Sequence, residues 1–226
     1  MKMKKILFTA IILSLIGLLS ANSVAYLSSA KGKVNLSRNS KEIKFQPGDM
    51  LENKDVLMTG AESFAAYKFI DGTTNIKVFS NSEVVINSKK VGNSLNKNVK
   101  ITKGSILSNV KSGGGAFQVE TPTTVASVRG TGFLTKVSEE GITQITVTDG
   151  EVLIEIKESG ESEAVQAGKT AVIDEFGTVS IEQTTEEQID EIEKAEIEAT
   201  RTEDKKQMRI QVTDDQGNIR YINISY

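Results

Sequence analysis

What most constrains the fold of this chain is its punctuation. From Tyr26 to about Ile181 a turn signal recurs roughly every 8 to 12 residues: Gly60, Asp71-Gly72, Asn81-Ser82, Gly92-Asn93, Gly104, Gly113 to Gly115, Gly130, Gly141, Asp149-Gly150, Gly160, Gly168 and Gly177. Between these signals apolar residues alternate with period two, as in Val34/Leu36, Tyr67/Phe69, Ile76/Val78, Val84/Ile86, Val99/Ile101, Phe117/Val119, Ile145/Val147 and Val152/Ile154/Ile156. Helical stripes longer than two turns are absent here. Short strands at close spacing fold as a sandwich, barrel or solenoid. The expectation is an all-β domain, a compact solenoid-like or double-layered, antiparallel-rich sheet. A conventional sandwich is the alternative.

The two ends of the sequence read differently. Residues 1–25 carry Lys2, Lys4 and Lys5, then an apolar stretch from Ile6 to Leu19, then Ser23 and Ala25 two apart, the pattern a signal peptidase accepts. The apolar stretch falls short of the roughly 20 residues that cross a bilayer. The reading is a signal peptide over 1–25, with export to the periplasm, cell envelope or beyond and no stable membrane span after cleavage. An uncleaved N-terminal anchor is the alternative. The β domain is placed at 26–182. Residues 183–207 then become rich in helix formers, with Thr184 and Glu187 fitting a capping box and only a thin stripe of Ile189, Ile192, Ala195 and Ala199. They read as an acidic helical spacer, or as an acidic helix that docks on a basic surface. Residues 208–226 alternate around Asp214 to Asn218 and read as a C-terminal β-hairpin.

Composition removes whole classes of chemistry. Zero Cys excludes disulfides and thiolate metal sites, and zero His removes the usual general base and the commonest transition-metal ligand. With zero Trp and 5% aromatics, stacking platforms are scarce. Residues 26–111 carry a net charge of +7 and residues 112–226 a net of −13. The basic half holds 13 Lys and a single Arg, scattered along the strands, which describes a solvated surface and not a nucleic-acid groove. Asp49, Asp55, Asp71 and Asp149 are the carboxylates from which an acid/base pair could be drawn. Three of them neighbour glycine and Asp55 follows Asn53-Lys54, so turn chemistry is the expected role. Lys111 to Gly115 lacks the phosphate-loop spacing and reads as a flexible connection. Asp214 to Asn218 lacks the calcium-loop spacing.

Several segments resemble the FecR domain, a family of extracytoplasmic β-rich modules. Phe117 to Phe133, FQVETPTTVASVRGTGF, is similar to the family's F-x-V-x-T-P-x-x-x-A-x-V-R-G-T-x-F signature through Phe117, Val119, Thr121, Pro122, Ala126, Val128, Arg129, Gly130, Thr131 and Phe133. Upstream, Pro47 to Thr74 resembles its paired G-D turns and its F-x-D-G-S element through Phe69, Asp71, Gly72 and Thr73. Lys54-Asp55 stands where the family has its second G-D. Val147 to Val152 and Gln166 to Val172 resemble its last two turns. Family members that regulate sigma factors carry a cytoplasmic helical domain ahead of a membrane span, whereas the reading here is of the β module behind a signal peptide.

These observations imply a non-catalytic extracytoplasmic module with no cofactor, binding another envelope protein or polymer in a sensing or scaffolding role, with no nucleic acid. The alternatives are a carboxylate-based enzyme on polysaccharide, or a regulator of envelope signalling without its cytoplasmic half. The signature residues Phe117, Thr121, Pro122, Arg129, Gly130, Thr131, Phe133, Asp71 and Gly72 are expected to be structural. Arg129 in particular is expected to be a partly buried strap whose guanidinium forks onto carbonyls or a carboxylate. Contact with an anionic ligand is its alternative role.

Overall fold

The structure is a computed structural model that describes residues 23–203, 207–213 and 219–225, with side chains as far as residue 197 apart from residue 195. Seventeen strands form the β domain. The first nine are β1 (Ser23–Lys31), β2 (Val34–Arg38), β3 (Lys41–Ile43), β4 (Met50–Glu52), β5 (Asp55–Thr59), β6 (Phe64–Phe69), β7 (Thr74–Val78), β8 (Glu83–Val91) and β9 (Ser94–Val110). Then follow β10 (Phe117–Glu120), β11 (Thr124–Val128), β12 (Gly132–Val137), β13 (Thr143–Asp149), β14 (Glu151–Ile156), β15 (Ser162–Gln166), β16 (Lys169–Ile173) and β17 (Val179–Gln183). The all-β expectation holds, and so does its double-layered form.

One layer runs β4-β1-β6-β7-β9-β12-β13-β16-β17 and the other β3-β2-β5-β8-β9-β10-β11-β14-β15. Every pairing is antiparallel except β9 with β10. Strand β9 belongs to both layers. Its first part pairs with β8 and β10, its second with β7 and β12, and Gly104 marks the change. Gly104 has φ 91°, and a Cβ there would stand 2.4 Å from the Ser82 Cα, so only glycine fits this corner. Strands β5–β8 and β11–β14 repeat one scheme: the first and fourth strands pair in one layer, the second and third in the other.

The core fills the space between layers. Leu27, Tyr67, Phe69, Ile76, Phe133 and Ile145 from one layer meet Leu36, Leu57, Val84, Ile101, Val119 and Ile154 from the other in a single cluster. This alternation is the sequence's period two made solid: both members of each pair point inward and the residue between them outward.

Two boundaries move. Strand β1 begins at Ser23, upstream of the expected domain start at Tyr26, and both Val24 and Ala25 are buried in the core. Of the signal peptide read at 1–25, residues 1–22 lie outside the described residues and Ser23 to Ala25 fall in β1. The helix α1 (Glu186–Glu203) is capped one residue later than expected. Thr185 Oγ1 accepts from the Gln188 backbone N–H, and Gln188 Oε1 accepts from the Thr185 N–H at 2.9 Å, a reciprocal capping box. Thr184 instead meets Thr170, their hydroxyls 3.1 Å apart.

The helix is no free spacer. Ile192 is buried against Leu107 and Leu134, with Phe79 packed beside them, on the outer face of the layer that holds β9 and β12. Lys136 Nζ donates to Glu191 Oε2 at 2.5 Å on the same face. Burying one such isoleucine is worth about 1.5–3 kcal/mol. Ile189 and Ile197 stay exposed. Beyond the helix, β18 (Gln207–Thr213) and β19 (Ile219–Ser225) pair antiparallel as the expected hairpin. Its turn at 214–218, with the calcium-loop question, lies outside the described residues.

Candidate functional site

The signature segment builds turns. Between β10 and β11 the chain reverses at Thr121-Pro122-Thr123-Thr124, where the Thr121 N–H donates to the Thr124 carbonyl at 2.9 Å. Thr121 Oγ1 then gathers hydroxyls: it lies 2.9 Å from Thr124 Oγ1 and accepts from Thr143 Oγ1 at 3.0 Å, all within buried residues. Pro122, which cannot donate, sits exposed at the tip. Phe117 and Phe133 are buried with their rings 6.3 Å apart, edge to face. Thr131 Oγ1 donates to the Glu151 carbonyl at 3.0 Å and thereby ties the β11–β12 corner to β14. Gly130 turns that corner with φ 70°.

Arg129 departs from expectation. It is exposed, and its guanidinium makes no hydrogen bond or ion pair with any described residue. A side chain leaving the corner at Gly130 points to solvent, so it straps nothing. The strap exists, but at Arg38. Its Nε and Nη2 each donate at 2.8 Å to the two oxygens of Asp55, its Nη1 donates to Glu52 Oε1 at 2.6 Å, and Nη2 also reaches the Met50 carbonyl at 3.2 Å. Asp55 is fully buried and also accepts from the Glu52 N–H. The hydrogen bonds Arg38 donates to Asp55, with the nearby carboxylate charges, raise the Arg38 pKa. Asp55 is therefore an internal counterion. The resemblance missed this because the two partners lie 17 residues apart on different strands.

The remaining carboxylates also find places. Asp49 Oδ2 accepts from the Gln46 N–H at 2.8 Å within its turn. Asp71 closes a turn by accepting from the Thr73 N–H at 3.1 Å and its hydroxyl at 3.0 Å. It also holds Lys97, whose side chain is fully buried, with Nζ on Asp71 Oδ2, 2.9 Å from Thr73 Oγ1 and 5.9 Å from the Phe69 ring centroid. Burial alone would push the Asp71 carboxyl up. The hydrogen bonds from Lys97 and Thr73, with the lysine charge, outweigh it and hold the carboxyl below its ordinary value. No group of three or more acidic side chains able to hold a metal ion occurs among the described residues.

Asp71-Gly72-Thr73 lies at one end of the double layer, where several turns converge. The connection 111–116 is not a loose one: the Lys111 N–H donates to the Thr73 carbonyl at 2.7 Å, and a Cβ on Gly114 would stand 2.5 Å from Thr73 Oγ1. Below these turns, on the outer face of the layer, is a groove of about 440 Å³. Its floor is a row across adjacent strands. Lys68 on β6 pairs with Asn75 on β7, Asn75 with Asn109 on β9, and Asn109 with Gly132 on β12. Thr148 and Asp149 on β13 close the far side, and Lys111 stands on the rim.

Two properties mark this row. A Cβ on Gly132 would stand 2.8 Å from Thr148 Oγ1, 3.5 Å from Asn109 Oδ1 and 3.7 Å from Asp149 Cβ, so glycine here lets these polar side chains close together over the strand. Moreover, the side chains of Lys68, Asn75, Asn109, Lys111, Thr148 and Asp149 make no hydrogen bond or ion pair with any described residue, and Asn75 Oδ1 is fully buried without a partner. Buried polar groups are normally satisfied. Of the carboxylates singled out from sequence, only Asp149 lines this groove.

Comparison with known proteins gives a family match over one segment and a likeness of fold. Residues 55–153 match the family model described as FecR protein, a span that runs from the first strand of one repeated unit into the last strand of the other. No curated protein matches the chain. Two crystal structures of candidate anti-sigma factors from Parabacteroides distasonis share the fold, each with a TM-score of 0.50. One is 15% identical, over 60% of this chain and 62% of its own length. The other is 14% identical, over 75% of this chain and 84% of its own. At such identity the likeness is one of fold. No helix among the described residues is long and apolar enough to cross a membrane.

Proposed function

We propose, for a chain that carries a FecR domain at residues 55–153, a non-catalytic role as the recognition module of a signalling or regulatory system, which it serves by binding an extracytoplasmic protein or envelope polymer. The observation that carries this reading is the groove with its six unpartnered polar side chains. Lys111, Thr148 and Asp149 are exposed to solvent, so the weight falls on Asn75, whose buried Oδ1 has no partner among the described residues. The candidate acids support the non-catalytic part, since Asp49, Asp55 and Asp71 are engaged in turns and ion pairs. Anti-sigma activity is known here only as the description of two relatives alike in fold. Export rests on the N-terminal leader pattern.

The test is capture from an envelope fraction by the full chain, compared with a chain in which Gly132→Val fills the groove. Loss of a specific bound component in the variant is expected at a temperature where circular dichroism shows it still folded, its melting midpoint being lowered by the close approach to Thr148. Equal capture by both would move recognition away from this face. Incubation of the protein with envelope glycans is expected to release no product, and release abolished by Asp149→Asn would overturn the non-catalytic reading.

A further inference from the structure

We propose that the groove binds a carboxylate-bearing saccharide chain laid across the strands along the row Lys68–Asn75–Asn109–Gly132–Thr148. This deepens the binding role proposed above and rests on it. The chemistry of the lining selects the ligand class. Among the described residues no aromatic ring lines the groove, so a neutral sugar finds no stacking platform. No described arginine lines it either, so the planar forks that favour phosphate are missing. An extended peptide binds a sheet by adding to an edge, whereas β7, β9 and β12 are inner strands whose main-chain groups already serve the ladders.

What the groove does offer is a line of amides and a hydroxyl at strand spacing, with a cation at each of two margins. Neighbouring strands lie about 4.8 Å apart, a distance comparable with the advance of one pyranose unit. A polymer crossing the strands therefore meets a fresh polar side chain at each sugar. Asn75 and Asn109 both donate and accept, which suits hydroxyls that do the same. Lys68 and Lys111, bare of acidic partners among the described residues, supply counterions for uronate carboxylates, while Asp149 accepts from sugar hydroxyls at the far side.

The experiment is calorimetric titration of the full chain with galacturonate hexasaccharide, against chitin hexasaccharide and hexaglutamate as probes of sugar without charge and charge without sugar. Saturable binding of the galacturonate is expected, with neither control comparable. Lys68→Ala with Lys111→Ala is expected to weaken it about tenfold, and 1 M salt to do the same. Asn75→Leu keeps size but loses the amide, and is expected to abolish binding with the fold intact by circular dichroism. Gly132→Val serves as the steric block. Binding of hexaglutamate as tight as the galacturonate, or galacturonate binding untouched by Asn75→Leu and Gly132→Val, would overturn the proposal. If galacturonate fails while envelope capture still depends on Gly132, the ligand class falls and the groove stands; if capture is also indifferent to Gly132, both fall.

Discussion

At the scale of single residues, Lys54 is the most instructive departure from the family pattern. It stands where the family places glycine, and it adopts φ 71° all the same. A side chain in that left-handed region costs roughly 1–2 kcal/mol, part of which glycine gives back through its freer unfolded chain. Lys54→Gly is therefore expected to stabilise the domain by about 0.5–1 kcal/mol, read as a higher denaturant midpoint with an unchanged slope. Asp71 and Lys97 make a different kind of point. Asp71→Asn leaves a fully buried ammonium without its charge partner, and breaking such a pair costs about 3–5 kcal/mol at full burial. The Asp71 side chain is 22% exposed, so the lower end is expected. Adding Lys97→Met to Asp71→Asn should recover most of the loss, and the double-mutant cycle measures the coupling. Because the folded carboxyl titrates below its unfolded value, its stabilisation is present above about pH 4 and disappears as pH falls through the lower, folded value. A urea midpoint insensitive to acid below pH 4 in wild type, relative to the double variant, would contradict this. The sequence marked Asp71 as a turn residue correctly. It was silent on Lys97, because a lysine in a strand reads as surface until its partner is placed.

At the scale of elements, most strands were legible because each alternates within five or six residues and ends on a turn signal. Three features were not. The start of β1 was hidden by the leader pattern, which ends on the same small and apolar residues that open the strand. Yet Val24 and Ala25 fill core space, and the Val24 carbonyl accepts from the Ile70 N–H at 3.0 Å. A chain beginning at Tyr26 is expected to be less stable than one beginning at Ser23 by about 2–4 kcal/mol, visible as a melting midpoint lower by several degrees. Equal midpoints would show that these residues only trail along the sheet. The docking of α1 stood only as the alternative to a spacer, because its own apolar stripe is thin. The signal lay elsewhere: Leu107 and Leu134 are large apolar residues at outward positions, next to the inward Ile106 and Phe133. The groove was missed for a related reason. Its members come from β6, β7, β9, β12 and β13, and only register brings Lys68, Asn75, Asn109 and Gly132 into one row.

At the scale of the whole molecule, the uneven charge read from the sequence is bridged between the two halves at Lys100–Glu120 and Lys103–Glu139, whereas Lys136–Glu191 and Lys157–Glu120 pair within the acidic half. The acidic helix rests on a β layer, where Glu191 meets Lys136, and Glu120 binds Lys157 at 2.9 Å with Lys100 at 3.5 Å. The hydrogen bond from Lys157 and both lysine charges hold the Glu120 carboxyl below its ordinary value. The groove keeps clear of this compensation, with Lys68 and Lys111 both left bare. Strand β9 gives the molecule a further property. It is an inner strand of both layers, and it joins the repeated unit before it to the one after it. Neither unit can open without stripping a strand from the other, so they have no independent existence as modules. A tug on the chain from either end meets the same seam, and disturbance at the groove, which has Asn109 of β9 in its floor, is felt by both halves at once.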